Sequence, residues 1–293
     1  MIKTRLSRFL RQPACRAVVI SASIVVGLSI PSHAQVTTET DAKEIKPASI
    51  LHVVIDPGHG GKDTGATRYG LKESEIALKV SNRLAELLRE NSHFKISMTR
   101  THDEKMTLSE RTRRVNSFHG DVLISIHLNS STDPRAQGKE FYFQNQLPAD
   151  EEALFLASRE NNEQDAVDVA QAPNEKLSPQ SDLKRILEDL NRNERIYASS
   201  ELGRTLYENW VAGNRSHKAG SRGIRQAPFQ VVSNVTVPSV LIEIGFISHP
   251  QEGPRLGKAE YQTELARSIY EGLNKYKEIV DKDRPKNLKS IAN

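Results

Sequence analysis

The apolar run Leu51-His-Val-Val-Ile55 leads straight into Asp56-Pro-Gly-His-Gly-Gly61. This junction limits the fold more than any other stretch of the chain. A run of this kind, stopped by a proline and three glycines, reads as a short buried strand ending in a tight loop. The loop presents His59 just past the strand's carboxyl end, and in open α/β sheets ligands sit in the crevice beyond those ends. Taken alone, the stretch reads more readily as a glycine-rich turn carrying a solvated histidine.

Two more apolar runs repeat the pattern. Val122-Leu-Ile-Ser-Ile126 leads into His127, and Val240-Leu-Ile242 leads into Glu243. Segments of helical period separate them. From Glu73, Ile76, Val80, Leu84, Leu87 and Leu88 form one apolar face. Thr107 with Glu110 is a capping-box signature that predicts a helix over 108–118. Tyr261, Leu265, Ile269 and Leu273 mark a C-terminal helix. Phe94–Met98 and Phe141–Phe143 are expected as further strands. The alternation predicts an α/β fold with one main sheet.

If the three apolar strands lie side by side and parallel, His59, His127 and Glu243 converge on one edge of the sheet. Glu73, at the start of the following helix, can fold back over the same edge. Two histidines and a carboxylate, with water, suit a tetrahedral catalytic zinc site, and a second carboxylate can act as general base. The chemistry this suggests is amide hydrolysis. Each residue has a plainer reading. Glu73 fits a helix first turn, where negative charge is favoured, and His127 fits a hydrogen-bonded histidine at a sheet edge. Glu243 is harder to set aside, because a carboxylate ending a buried strand is costly unless paired or functional.

The N-terminus combines Lys3, Arg5, Arg8, Arg11 and Arg16 with an apolar stretch over 17–30 and Pro31-Ser-His-Ala34. That is the layout of a cleavable secretory signal peptide. Loss of residues 1–34 lowers Lys+Arg from 41 to 36 against 37 Asp+Glu, so net charge goes from +4 to −1. The basic balance of the whole chain therefore gives no support for nucleic-acid binding. Cys15, the single cysteine, leaves as well. A mature chain without thiols must hold any zinc with histidines and carboxylates.

Taken together, these stretches resemble the zinc-dependent N-acetylmuramoyl-L-alanine amidases of the amidase type 3 family. The motifs that carry the resemblance are Val53–Gly61, Lys72-Glu-Ser-Glu-Ile-Ala-Leu78, Met98-Thr-Arg-Thr-His-Asp103 with Leu108 and Arg111, Asp121–Asn129 and Pro238–Ser248. They fall in family order across residues 51–279. The resemblance implies a mixed twisted sheet flanked by helices. It implies one Zn2+ held by His59, Glu73 and His127, with Glu243 as the catalytic glutamate. The implied substrate is peptidoglycan, cut between N-acetylmuramic acid and L-alanine of the stem peptide for wall remodelling and daughter-cell separation. Leu128-Asn129 departs from the commoner family residues after the second histidine. Arg100, Asp103 and Arg111 are read as structural ion pairing, and the roles of Arg225 and Gln226 stay open. A zinc peptidase acting on wall peptides is the alternative within enzymes. A catalytically dead wall-binding protein would require loss of a metal ligand or of Glu243.

The expected layout is a signal peptide (1–34), a linker (35–49), one catalytic domain (50–280) and a frayed polar tail (281–293), acting as an exported or periplasmic monomer with no stable membrane insertion after cleavage. Residues 146–196 carry twelve Asp/Glu against six Lys/Arg and are expected to form an acidic, partly helical insertion. Glu152–Asn161 is expected as one helix. Leu183, Ile186, Leu187 and Leu190 suggest a second, and Leu202, Leu206 and Trp210 a third. The stretch Phe155–Asn162 resembles a segment of Gram-negative amidases that covers the active site until an activator with a LytM-type domain displaces it. A carboxylate is a good fourth ligand for zinc. Glu163 is the first candidate, with Glu160 and Glu175 behind it. The plainer reading is a solvated acidic loop.

Overall fold

A computed structural model describes residues 49–144, 148–161, 179–213 and 221–290. The expected signal peptide and most of the linker lie outside the described residues, as do Glu163 and Glu175. In chain order the elements are β1 (Leu51–Pro57), β2 (Thr67–Arg68), β3 (Leu71–Lys72), α1 (Glu73–Arg89), β4 (Phe94–Met98), α2 (Leu108–Ser117), β5 (Val122–Asn129), β6 (Lys139–Phe143), α3 (Glu151–Asn161), α4 (Pro179–Gly213), β7 (Ser221–Gln226), α5 (Gln230–Ser233), β8 (Ser239–Phe246), α6 (Glu252–Leu256) and α7 (Ala259–Ser290).

Six strands form one mixed sheet in the order β4-β1-β5-β8-β6-β7, and β2 pairs with β3 in a small hairpin. The three apolar runs are neighbours. β1 pairs parallel with β5, and β5 parallel with β8. β6 runs antiparallel to β8 and parallel to β7. All of β1, β5 and β8 is buried, as expected for parallel strands covered on both faces.

Side chains alternate between those faces. Val53, Ile55, Ile124, Ile126, Ile242 and Phe141 pack against α1, α4 and α7 in the larger core. Val54, Leu123, Leu241 and Tyr142 turn the other way, toward α2, α3 and α5. The same period of two carries Asp56, His127, Glu140 and Glu243 onto the second face. The fold thus delivers these four polar residues to one side of the sheet.

Several elements follow from local chemistry. Helix α1 buries Ile76, Val80, Leu84 and Leu88 on one stripe. Helix α2 opens with the expected capping box between Thr107 and Glu110. Other elements differ from expectation. β5 and β8 run past the expected ends, so His127 and Glu243 sit inside strands rather than at their tips. The helices expected around Leu187 and Leu206 are one element, α4. Its later part buries Leu202, Leu206 and Trp210, while Ile186, Leu187, Leu190 and Tyr197 are 51–74% exposed. Helix α7 continues to Ser290 where a frayed tail was expected, with Lys277 and Asp281 paired one turn apart. Edge strand β7 has no apolar run to betray it. Among the described residues, no helix is long and apolar enough to cross a membrane.

Candidate metal centre

The loop after β1 is built so that His59 can be held and approached closely. His59 has a left-handed backbone, φ 55°. Arg111 donates to the carbonyls of Pro57 and His59 and to Asp56 Oδ1. Arg100 donates to the carbonyls of Pro57, Gly58, Ser74 and His102. Asp56 also accepts from Thr99 and Ser125. The structural role expected for the two arginines therefore holds. Only Arg111 makes an ion pair with a carboxylate among the described contacts, and Arg100 grips carbonyls instead. Asp103 accepts from the Gly61 N–H and ties down the loop's far end. A Cβ on Gly58 would stand 2.5 Å from the His127 ring, and one on Gly65 2.6 Å from Glu73 Oε2. Glycine at these two places lets the loop close around its neighbours.

The Asp56–Arg111 pair gives a stability prediction. Burial raises the Asp56 carboxyl, but Arg111 and the two hydroxyls outweigh it and hold it below the ordinary range. Its contribution is therefore full above the unfolded aspartate value, about 3.9, and is lost as pH falls further. Arg111→Ala leaves Asp56 buried without its cation. This is expected to cost about 3–5 kcal/mol in urea unfolding and to move acid unfolding to higher pH. An unchanged urea midpoint would refute the assignment.

Four side chains converge beyond this loop. His59 Nε2 is 3.2 Å from Glu73 Oε1 and 3.1 Å from Glu160 Oε2. His127 Nδ1 is 3.2 Å from Glu73 Oε1 and 3.5 Å from Glu160 Oε2. Among the described residues these four form the one His/Glu cluster able to hold a metal, with donor atoms all within 4.8 Å of one another. Ligands 2.0–2.1 Å from a tetrahedral zinc are separated by about 3.3–3.4 Å along each edge. The four measured edges cluster around that length. His127 Nδ1 and Glu160 Oε2 are buried and not aligned for a hydrogen bond with any described group. Both atoms lie within 4.8 Å of the other donors of the cluster, so the donor set fits zinc.

Surrounding contacts fix these donors. His59 Nδ1 is 2.8 Å from Asp63 Oδ2, which leaves Nε2 facing inward. Glu73 opens α1, and its two oxygens accept from the Leu128 and Ala66 N–H groups. Burial opposes ionisation of Glu73, but the two histidines outweigh it and bring it down to about 2. Burial opposes charge on His127 too, yet Glu160 and Glu73 push it up to about 10. A cation at the centre would take the place of that shared proton charge.

Glu243 lies beside the cluster, paired with His127 across the β5–β8 register. It is fully buried, and neither carboxylate oxygen has a hydrogen-bond partner among the described residues. Burial first, and then the charge of Glu73, raise its pKa well above the ordinary glutamate range.

Glu160 arrives on α3. Ala153, Leu156, Ala157 and Glu160 make one buried stripe at helical spacing. The three apolar members pack in the cluster that holds Tyr142, Phe229, Val231 and Leu241. An acid at the end of an otherwise apolar stripe is a sequence signal that points to Glu160. Arg159 holds the Glu160 carboxylate and the Ser130 carbonyl. Under α3, the cavity lined by His59, His127, Glu160 and Phe229 measures about 10 Å³, room for roughly one water. A cleft of about 410 Å³ is lined by His59, Asp63, Arg159 and Glu160.

The N-acetylmuramoyl-L-alanine amidase family model matches residues 53–275. The chain is 33% identical over 226 residues to N-acetylmuramoyl-L-alanine amidase AmiA of Escherichia coli K12, covering 76% of this chain and 75% of that one. It is 30% identical over 286 residues to AmiA of Salmonella typhimurium LT2, covering 94% and 93%. The solved structure of an N-acetylmuramoyl-L-alanine amidase from Clostridium difficile 630 superposes with a TM-score of 0.57 at 25% identity, covering 78% of this chain and 97% of that one.

Proposed function

This chain belongs to the amidase type 3 family of N-acetylmuramoyl-L-alanine amidases, and from that premise we propose a zinc site, a catalytic base and a built-in block. The enzyme hydrolyses the amide joining N-acetylmuramic acid to L-alanine in peptidoglycan. His59, Glu73 and His127 would hold one Zn2+, an assignment supported by the 3.2 Å separations of both histidine donors from Glu73 Oε1. A zinc ion held there supplies Lewis-acid chemistry and activates water at neutral pH. Glu243 takes a proton from the attacking water and delivers it to the departing L-alanine nitrogen. The Leu128 and Ala66 N–H groups keep Glu73 oriented, and Asp63 keeps His59 turned inward. A catalytically dead relative is disfavoured by the unpaired, buried Glu243 carboxylate. Because the substrate lies outside the cytoplasmic membrane, residues 1–34 are read as an export leader.

Glu160 would complete the donor set that His59, Glu73 and His127 offer to the zinc, and α3 would then shut the site to muramyl substrates. The observation that carries this reading is Glu160 Oε2 standing 3.1 Å from His59 Nε2 beside a cavity of only about 10 Å³. Opening requires something to pull the segment away. The exposed Ile186, Leu187, Leu190 and Tyr197 on α4 offer an apolar surface of the kind that marks protein contacts. We assign this surface to an activator with a LytM-type domain. Preference for the closed state by a few kcal/mol keeps the open form at roughly 0.1–10%. Glu160→Ala is therefore expected to raise the basal rate by about tenfold or more on purified peptidoglycan, read as newly freed L-alanine amino groups. An active-site titration showing full metal but no faster release would refute the block.

A further inference from the structure

Arg225 lies away from the metal cluster and gathers three carboxylates. It stands on edge strand β7, opposite Tyr142. Nη1 donates to Glu140 Oε1 at 3.0 Å. Nε and Nη2 donate to Asp150 at 3.3 and 2.8 Å, and Nη2 to Glu152 at 2.9 Å. The two sides of the guanidinium face different kinds of partner. Glu140 is fully buried, also accepts from Asn129 and Tyr142, and faces Glu243 across the β6–β8 pair. Asp150 and Glu152 are about half exposed, at 52% and 51%, and stand at the start of α3. One edge of the guanidinium is thus bolted to the sheet, and the other is occupied by the element that must move.

Displacing α3 removes Asp150 and Glu152 but leaves Glu140. Arginine cannot shed its proton and keeps its donors in a fixed fork suited to a carboxylate. Arg225 would stay in place with that fork facing the opened groove. We propose that Arg225 binds a carboxylate of the peptidoglycan stem peptide, and that Asp150 and Glu152 stand in for it while the chain is closed. The inference rests on the reading of α3 as the blocking helix. Its spacing identifies which part of the substrate is meant. Glu152 and Glu160 are eight residues apart on one helix, which is about 12 Å at a rise of 1.5 Å per residue. An extended peptide covers that distance in about three to four residues. The carboxylate recognised therefore belongs to the stem peptide around its third residue, and not to the sugar.

The test uses the full chain carrying Asp150→Ala, Glu152→Ala and Glu160→Ala, which frees both the metal and Arg225. The probes are two muramyl peptides that differ only in whether the stem's side-chain carboxylates are free or amidated. On this background Arg225→Gln is expected to raise KM for the acidic probe by about tenfold or more, the size expected for hydrogen bonds to a charged group. KM for the amidated probe should hold, kcat should change little for either, and Arg225→Lys should recover part of the loss. Since Arg225→Gln alone leaves Glu140 buried beside a neutral group, Arg225→Gln/Glu140→Gln is measured in parallel and should show the same dependence on the probe. Equal losses on both probes, or none on either, would overturn the inference while leaving the block intact. A background no faster than the natural chain on peptidoglycan would overturn the block, and this inference with it.

Discussion

Stripping divalent metal from the purified chain is expected to abolish peptidoglycan hydrolysis, and added zinc to restore it. The expectation comes from what the protein would keep without the ion. Two buried histidines and two buried glutamates bring their donor atoms together, with His–Glu separations of 3.1–3.5 Å. In the interior such charges are costly unless paired or coordinated. Without a cation the glutamates and histidines can only offset one another's charge, the two histidines favouring ionised Glu73 and the two glutamates favouring charged His127. That arrangement polarises no carbonyl and activates no water. His127→Ala removes one vertex and should lose metal and activity together, with metal content read by elemental analysis. Because metal binds the folded chain in preference to the unfolded one, chelation should also lower the thermal midpoint of the natural chain by more than that of His127→Ala. Full turnover in a preparation shown to be metal-free would end the zinc assignment.

The parts of this site that were legible in the sequence share one physical reason. His59, His127 and Glu243 each follow an apolar run, and such runs become central parallel strands because both faces must be covered. Their order in the sheet, β1-β5-β8, then brings the three together. The arginines were legible as structural ion pairing, which Arg111 makes with Asp56, whereas the carbonyls that Arg100 satisfies carry no signal of their own in the sequence. Less local features were hidden. Glu160 is picked out by the buried stripe Ala153, Leu156, Ala157, Glu160, which acidic content alone does not reveal, while Glu163 lies outside the described residues. α4 looked like two helices because its first part keeps helical apolar spacing yet buries none of Ile186, Leu187 or Leu190. Periodicity reports a face and is silent on what covers it. β7 escaped because an edge strand held partly by the Arg225–Glu140 pair needs no apolar run.

Glu243→Gln is expected to keep the metal and lose most of the rate. Glutamine nearly matches glutamate in shape, so the sheet, the register with His127 and the three proposed ligands should be undisturbed. Its amide cannot accept and pass on a proton. Loss of a positioned general acid–base group typically costs ~10²–10⁴-fold, and the fall should appear in kcat, since Glu243 is asked to act on the reacting atoms and not to hold the stem peptide. Stability discriminates further. Both Glu243 oxygens are buried without a hydrogen-bond partner among the described residues, so the natural residue carries a desolvation cost that glutamine reduces. The variant should therefore melt no lower than the natural chain, which a residue kept for structure would not do. Near-natural turnover by Glu243→Gln would require another base on this face of the sheet. Glu140 is the nearest carboxylate in register, but its oxygens already accept from Arg225, Asn129 and Tyr142. With those oxygens engaged, Glu243 is the group on this face that combines proximity to the cluster with oxygens lacking a hydrogen-bond partner among the described residues.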